Sequence, residues 1–198
     1  MPQVLPFYLS DDDPPAKREI LRAALSLFAT RGVAATSIRD IANQSGFTNP
    51  ALYKHFASKE ELALYLFERC HSRVWTRCSE ALAAGTTFTE KLDGYVGCWL
   101  DFIDEEPDVI GFLSDSARIL WPLANDTVHR RTMIGLARSL VRNAPRLQDA
   151  STRSIDASAA SIQGTIAELG RMINVGATRG PARRWRAELV TVFERQLG

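Results

Sequence analysis

The chain has 198 residues with 45% hydrophobic and 24% charged residues, enough apolar surface for a real core and too much for wholesale disorder. Its net charge of +1 gives no overall bias toward nucleic acid, but the charge is unevenly placed. Between Pro14 and Lys59 stand seven cations, Lys17, Arg18, Arg22, Arg31, Arg39, Lys54 and Lys59, against two anions, Glu19 and Asp40, which is the field of a nucleic-acid module on a neutral body.

Residues 1–15, with Asp11 to Asp13 and Pro14–Pro15, read as a flexible arm. They lack the basic start and unbroken apolar stretch of a secretory signal. No run of 18 apolar residues suggests a membrane span, and the expected location is the cytoplasm. Cys70, Cys78 and Cys98 form no CxxC pair and no metal cluster with His55, His71 or His129, so reduced thiols and neither metal nor cofactor are expected.

From Lys17 to Arg31 an apolar face (Ile20, Leu21, Ala24, Leu25, Leu27, Phe28) predicts a helix that stops at Gly32. Thr36 or Ser37 can cap a short helix with Ile38, Ile41 and Ala42 inward, broken by Gly46. Thr48 can cap the next, with Pro50 in its first turn, where a missing N–H does no harm. Helix, tight turn and helix thus fill residues 37–56, the shape of a helix-turn-helix. A capping box of Ser58 and Glu61 opens a long helix closing near Gly85. Further helices are predicted at Phe88–Glu105, Asp108–Trp121, Asp126–Asn143, Thr152–Val175 and Ala182–Gln196. The fold class is all-α, with a helix-turn-helix domain over 16–62 and a larger helical domain over 63–198.

Leu52 and Phe56, four apart, can pin the second helix of the motif against Ile41 and Phe28. That leaves Asn49, Pro50, Ala51, Tyr53, Lys54 and His55 largely outside. Such a face offers an amide for adenine, a methyl for thymine, and a phenol and an ammonium for phosphate. The alternative is a solvated face on a core helix. Lys59 stands in the first turn of the long helix, where a cation opposes the helix dipole unless a phosphate joins it. Arg39 can reach a guanine edge or a phosphate, or pair locally with Asp40.

The stretch "TSIRDIANQSGFTNPALYKHFASKEEL" resembles the DNA-binding signature of TetR-type (tetracycline-repressor-like) transcriptional regulators. Thr36, Ile41–Ala42, Gly46, Leu52–Tyr53, His55–Phe56, Lys59 and Leu62 stand at its fixed positions. With the preceding helix it covers about residues 17–65. Asn49 and Ala51 replace the serine and the glycine or threonine often found there, so no operator sequence carries over. The resemblance implies a recognition helix bearing Tyr53, Lys54 and His55, and a phosphate contact at Lys59. Ser37, Arg39, Thr48, Asn49, Pro50 and Ala51 complete the expected DNA-binding set. It also implies a homodimeric repressor on double-stranded, near-palindromic DNA, released when a small molecule fills the C-terminal domain.

Ile155, Ala159, Ile162, Ile166, Leu169 and Ile173 recur at alternating spacings of four and three, and Trp185, Leu189 and Val192 repeat the pattern. These seams suit either a partner chain or the protein's own core. Tyr95, Trp99, Phe102, Phe112, Trp121 and His129 offer an effector-binding surface for an apolar or aromatic molecule, or simply core packing. An effector-independent architectural DNA-binding protein is the alternative function. A small helical enzyme is a further one, although no GxSxG, HExxH, P-loop or GxGxxG motif occurs.

Overall fold

The computed structural model describes residues 6–198, and its described residues form helices joined by turns. In chain order these are α1 (Pro15–Ala35), α2 (Ile38–Ser45), α3 (Asn49–Tyr53), α4 (Lys59–Ala84), α5 (Phe88–Glu105), α6 (Pro107–Leu120), α7 (Asp126–Arg130), α8 (Met133–Val141), α9 (Thr152–Asn174) and α10 (Arg186–Leu197). Short 3-10 turns lie at Trp121–Leu123, Pro145–Leu147 and Ala182–Trp185. Two compact units emerge: residues up to Arg73 with Asp108–Arg130, and Val74–Pro107 with Arg131–Gly198. The division differs from a boundary at residue 62, because α4 contributes its first half to one unit and its second half to the other.

The first unit is built on α1. Its backbone breaks at Gly32 (φ 78°, ψ 157°), one turn before the run of helix ends. Ile20, Leu21, Leu25 and Phe28 are buried with Ile41, Leu52, Phe56, Leu62, Leu66 and Phe67. Burying each such side chain contributes roughly 1.5–3 kcal/mol. Phe28 stacks on Phe112 of α6 at 5.7 Å between ring centres, and Phe67 meets Phe112 edge-on at 6.4 Å. The expected loose arm is not loose over its described part: Tyr8, Leu9 and Asp13 are buried. Arg69 of α4 donates to both carboxylate oxygens of Asp13, at 3.1 and 2.6 Å. Burial raises the Asp13 pKa, but Arg69 and the Ser10 N–H outweigh it and hold the carboxyl below its usual range. Residues 1–5 of that arm lie outside the described residues.

In the second unit α9 packs on α8 and α5, and α10 on α5. Here the structure corrects the seam on α9. Ile155, Ala159, Ile162, Ile166 and Leu169 are buried within the single chain, and Ile173 is half-buried. A 3,4 spacing marks one buried face of a helix, and that face is occupied by the chain's own α8 and α5. On the last helix Leu189 is also buried and Trp185 half-buried, while Val192 is 53% exposed and stays available. The expected helix over 126–143 is two helices. Thr132 interrupts it by accepting a hydrogen bond from the Gly135 N–H at 3.0 Å, the capping arrangement that starts α8. Among the described residues no helix is long and apolar enough to cross a membrane, and no cluster of His, Cys, Asp and Glu could hold a metal.

Candidate nucleic-acid interface

The interface starts from two caps. Ser37 Oγ accepts from the Asp40 N–H at 3.2 Å while Asp40 accepts from the Ser37 N–H at 2.8 Å, a reciprocal box that fixes where α2 begins. Hydrogen bonds from the Ser37 side chain and backbone keep the Asp40 carboxyl below its usual range. At the other end Gly46 adopts a left-handed conformation (φ 75°), a state that costs glycine no Cβ clash. Its N–H and that of Phe47 both return to the Ala42 carbonyl, so the chain turns sharply into α3.

α3 has only five residues. The Thr48 side chain makes no capping bond, but its carbonyl receives the N–H groups of Ala51 and Leu52 at 2.9 and 3.2 Å. Leu52 and Phe56 are buried and hold the helix down. On the helix Asn49, Pro50 and Tyr53 are exposed, Tyr53 to 54%, and Ala51 is half-buried; flanking it, Thr48 and Lys54 are exposed and His55 is half-buried. The helix ends before Lys54 and His55, which lie in the turn that follows.

An open cleft of about 490 Å³ adjoins this face, lined among others by Ala35, Ser37, Tyr53, Ser58, Lys59 and Glu60. Ser58 Oγ accepts from the Glu61 N–H at 3.0 Å, and the Glu61 carboxylate accepts from the Ala57 N–H at 2.6 Å, which starts α4 at the cleft. Lys59 is not a loose ammonium: it donates to the Val33 carbonyl at 2.8 Å and lies 3.9 Å from the Glu60 carboxylate. Of the remaining cations, Lys17 is committed to the Tyr65 hydroxyl at 3.0 Å and to Asp13, and Arg22 pairs with Glu19. Arg39 is exposed and, among the described residues, makes no ion pair with Asp40 or any other carboxylate. Arg18 and Arg31 also form no ion pair among the described residues, so the positive field of this region rests on Arg18, Arg31, Arg39 and Lys54, with Lys59 at the cleft.

The residues expected to bind an effector divide between the two units. Phe112, Trp121 and His129 belong to the first, where Phe112 is core packing and His129 is exposed with its Nε2 2.8 Å from the Trp121 carbonyl oxygen. Tyr95, Trp99 and Phe102 belong to the second, with Tyr95 and Phe102 fully buried. Burial pushes the Tyr95 phenol upward, and its oxygen accepts from the Gln163 amide. The Trp99 indole N–H is buried near that phenol but forms no hydrogen bond of good geometry.

One residue escaped the sequence reading. His71 is buried, both of its ring nitrogens lack a hydrogen-bond partner, and burial lowers its pKa to about 4. It stacks near Phe67 at 6.2 Å and meets Trp121 edge-on at 5.4 Å. The signal was in the spacing, since Leu62, Ala63, Leu66, Phe67, Cys70, His71 and Val74 trace one buried stripe along α4.

Residues 20–66 match the family model described as bacterial regulatory proteins, tetR family. The HTH-type transcriptional repressor KstR2 of Mycolicibacterium smegmatis is 32% identical over 108 residues, 54% of this chain and 53% of that protein. The chain therefore matches only about half the length of that relative. The solved structure of the ketosteroid transcriptional regulator KstR2 of Mycobacterium tuberculosis superposes with a TM-score of 0.79 at 20% identity, covering 95% of this chain and 97% of that one. A transcriptional regulator FadR from Bacillus subtilis, solved in complex with stearoyl-CoA, superposes with a TM-score of 0.69 at 15% identity, over 92% and 100% of the two chains. The helix-turn-helix over residues 20–66, with its anchored and exposed α3, is thus that of the tetR family of bacterial regulatory proteins, and the chain shares the fold of the solved regulators.

Proposed function

We propose that the protein is a DNA-binding transcriptional regulator that represses from a near-palindromic operator as a homodimer and leaves it when a small apolar or aromatic effector binds. The observation that carries this reading is the exposed face of α3, Asn49, Pro50, Tyr53 and Lys54, held by buried Leu52 and Phe56 beside the Lys59 cleft. Asn49 and Arg39 are assigned to base edges, and Tyr53, Lys54 and Lys59 to phosphates, with Ser37, Thr48, Pro50, Ala51 and His55 around them. A five-residue helix touches few base pairs, which favours two copies on a two-fold site. With the buried α9 seam unavailable, self-association falls to outward faces such as Ala187, Thr191 and Val192 of α10. The stearoyl-CoA bound to the FadR of this fold supports an effector with a large apolar part. The buried Trp99 indole N–H, without a hydrogen bond of good geometry, is a group such a molecule would satisfy.

The test is fluorescence anisotropy with duplexes from the region flanking the gene, followed by footprinting. A protected two-fold site with sequence preference is expected. Uniform affinity for all duplexes would favour the architectural alternative, and transcription that rises on binding would make the protein an activator.

A further inference from the structure

Cys78 of α4 and Cys98 of α5 lie side by side in the second unit, with their sulfurs 3.4 Å apart and no disulfide between them. The contact is built into the helix pair. A Cβ on Gly94 of α5 would meet the Ala81 carbonyl of α4 at 2.8 Å, so this position must be glycine for the two helices to approach as they do. One turn further along, the same approach brings the two cysteine side chains together. Arg77 strengthens the junction from its rim, lying over the Phe102 ring at 4.8 Å and pairing with Glu105 at 3.5 Å.

We propose that Cys98 and Cys78 form a hydroperoxide-responsive pair, whose oxidation to a disulfide locks α4 against α5 and changes the protein's hold on DNA. The second part rests on the operator-binding function proposed above, because α4 is the helix that Lys59 opens. The two sulfurs have distinct roles. Cys98 keeps 7% exposure while Cys78 has none, so a small oxidant meets Cys98 first. The Cys78 S–H donating to it favours the Cys98 thiolate against its burial, with help from Arg77 and against Asp101 and Glu105, while the same contact and burial raise the Cys78 thiol.

The chemistry balances with hydrogen peroxide as oxidant. The Cys98 thiolate attacks one peroxide oxygen, the O–O bond breaks, and the departing hydroxide takes up a proton to leave water and a Cys98 sulfenic acid. The Cys78 sulfur then attacks the Cys98 sulfur, the S–O bond breaks, and the Cys78 proton leaves with the hydroxyl as a second water. Two thiols lose two electrons and two hydrogens, which the peroxide accepts. Closing the gap from 3.4 Å to a covalent length of about 2.05 Å needs each sulfur to move by only about 0.7 Å. The third thiol, Cys70, belongs to the other unit and is spared.

The test treats the full-length reduced protein with hydrogen peroxide and then measures free thiols after denaturation, intact mass, and operator affinity. The expected result is a fall in titratable thiols from three to one, loss of two hydrogens, and a crosslinked Cys78–Cys98 peptide that dithiothreitol reverses. Cys70→Ser should behave as wild type, and Cys78→Ser and Cys98→Ser should form no crosslink. Operator affinity of the oxidised wild type should differ from the reduced form by about five-fold or more, in line with ordinary coupling between sites. Absence of the crosslink, or a crosslink through Cys70, overturns the pair. A complete crosslink with unchanged operator affinity overturns its regulatory role. Failure of the reduced protein to prefer any duplex would instead count against the DNA-binding function and leave the crosslink result standing.

Discussion

His71→Phe should remove a specific block of acid sensitivity from folding. In the folded protein the imidazole is buried without partners and its pKa falls to about 4, against 6.5 for an ordinary histidine. The unfolded chain therefore binds the proton first as pH drops. The stability linked to this residue is complete above pH 6.5, and it is lost as pH falls from there through the folded value near 4. The two values differ by roughly 2.5 pH units, worth on the order of 3 kcal/mol in all, most of it already lost by pH 4.5. A phenyl ring keeps the edge-on contact with Trp121 and the neighbourhood of Phe67 while removing both unpaired nitrogens. Urea unfolding followed by tryptophan fluorescence at intervals between pH 7.5 and 4.5 measures the effect directly. Wild type should lose stability with a slope approaching one proton per pH unit, and the variant should be flatter by that amount. Parallel curves for the two proteins would refute the assignment of a neutral, partnerless His71 to the folded state.

Leu52→Ala should lose about 2–4 kcal/mol in thermal unfolding because Leu52 is buried under α3, while exposed Tyr53→Ala should leave stability within about 0.5 kcal/mol and weaken anisotropy-measured DNA binding. Lys59→Ala should cost about 1 kcal/mol in urea unfolding through loss of the Val33 hydrogen bond, and should reduce the salt slope of DNA binding by about one unit. Arg69→Met should destabilise by about 2–3 kcal/mol in the same assay, since it removes both guanidinium bonds from the buried Asp13 carboxylate and leaves it only the Ser10 N–H and Lys17. Val192→Asp on the outward face of α10 should leave the monomer folded by circular dichroism and shift sedimentation toward monomer with loss of operator affinity.

The helix-turn-helix region was legible because its constraints are local. Gly46 must turn left-handed, Pro50 must fall in a first turn, and Leu52 and Phe56 must share a face, and each leaves a mark at fixed spacing. What depends on distant partners was not legible. Nothing near Asp13 announces Arg69, 56 residues on, so residues 6–13 read as loose when they are pinned. The α9 periodicity correctly marks a buried face, but a spacing cannot say whether the residues opposite belong to α8 or to another chain. Aromatic content alone did not tell which partners each ring has: Phe112 completes a ring stack with Phe28 in one unit, while Tyr95 and Phe102 are buried in the other. The break after Arg130 turned on Thr132 choosing the Gly135 N–H, a competition that helical periodicity does not record.

The bond from Lys59 to the Val33 carbonyl changes what that lysine has to offer a phosphate. A lysine waving in solvent must freeze four rotatable bonds to make a contact, at a cost of up to about 2 kcal/mol. Lys59 has already surrendered much of that freedom on folding, yet an ammonium has three hydrogens and the Val33 oxygen takes one. The other two are shared between the Glu60 carboxylate 3.9 Å away and the cleft that Lys59 lines with Ser37, Tyr53 and Ser58. An arriving DNA backbone would thus meet an aimed donor and not a searching one, so that rigidity acquired in folding sharpens recognition when the partner comes.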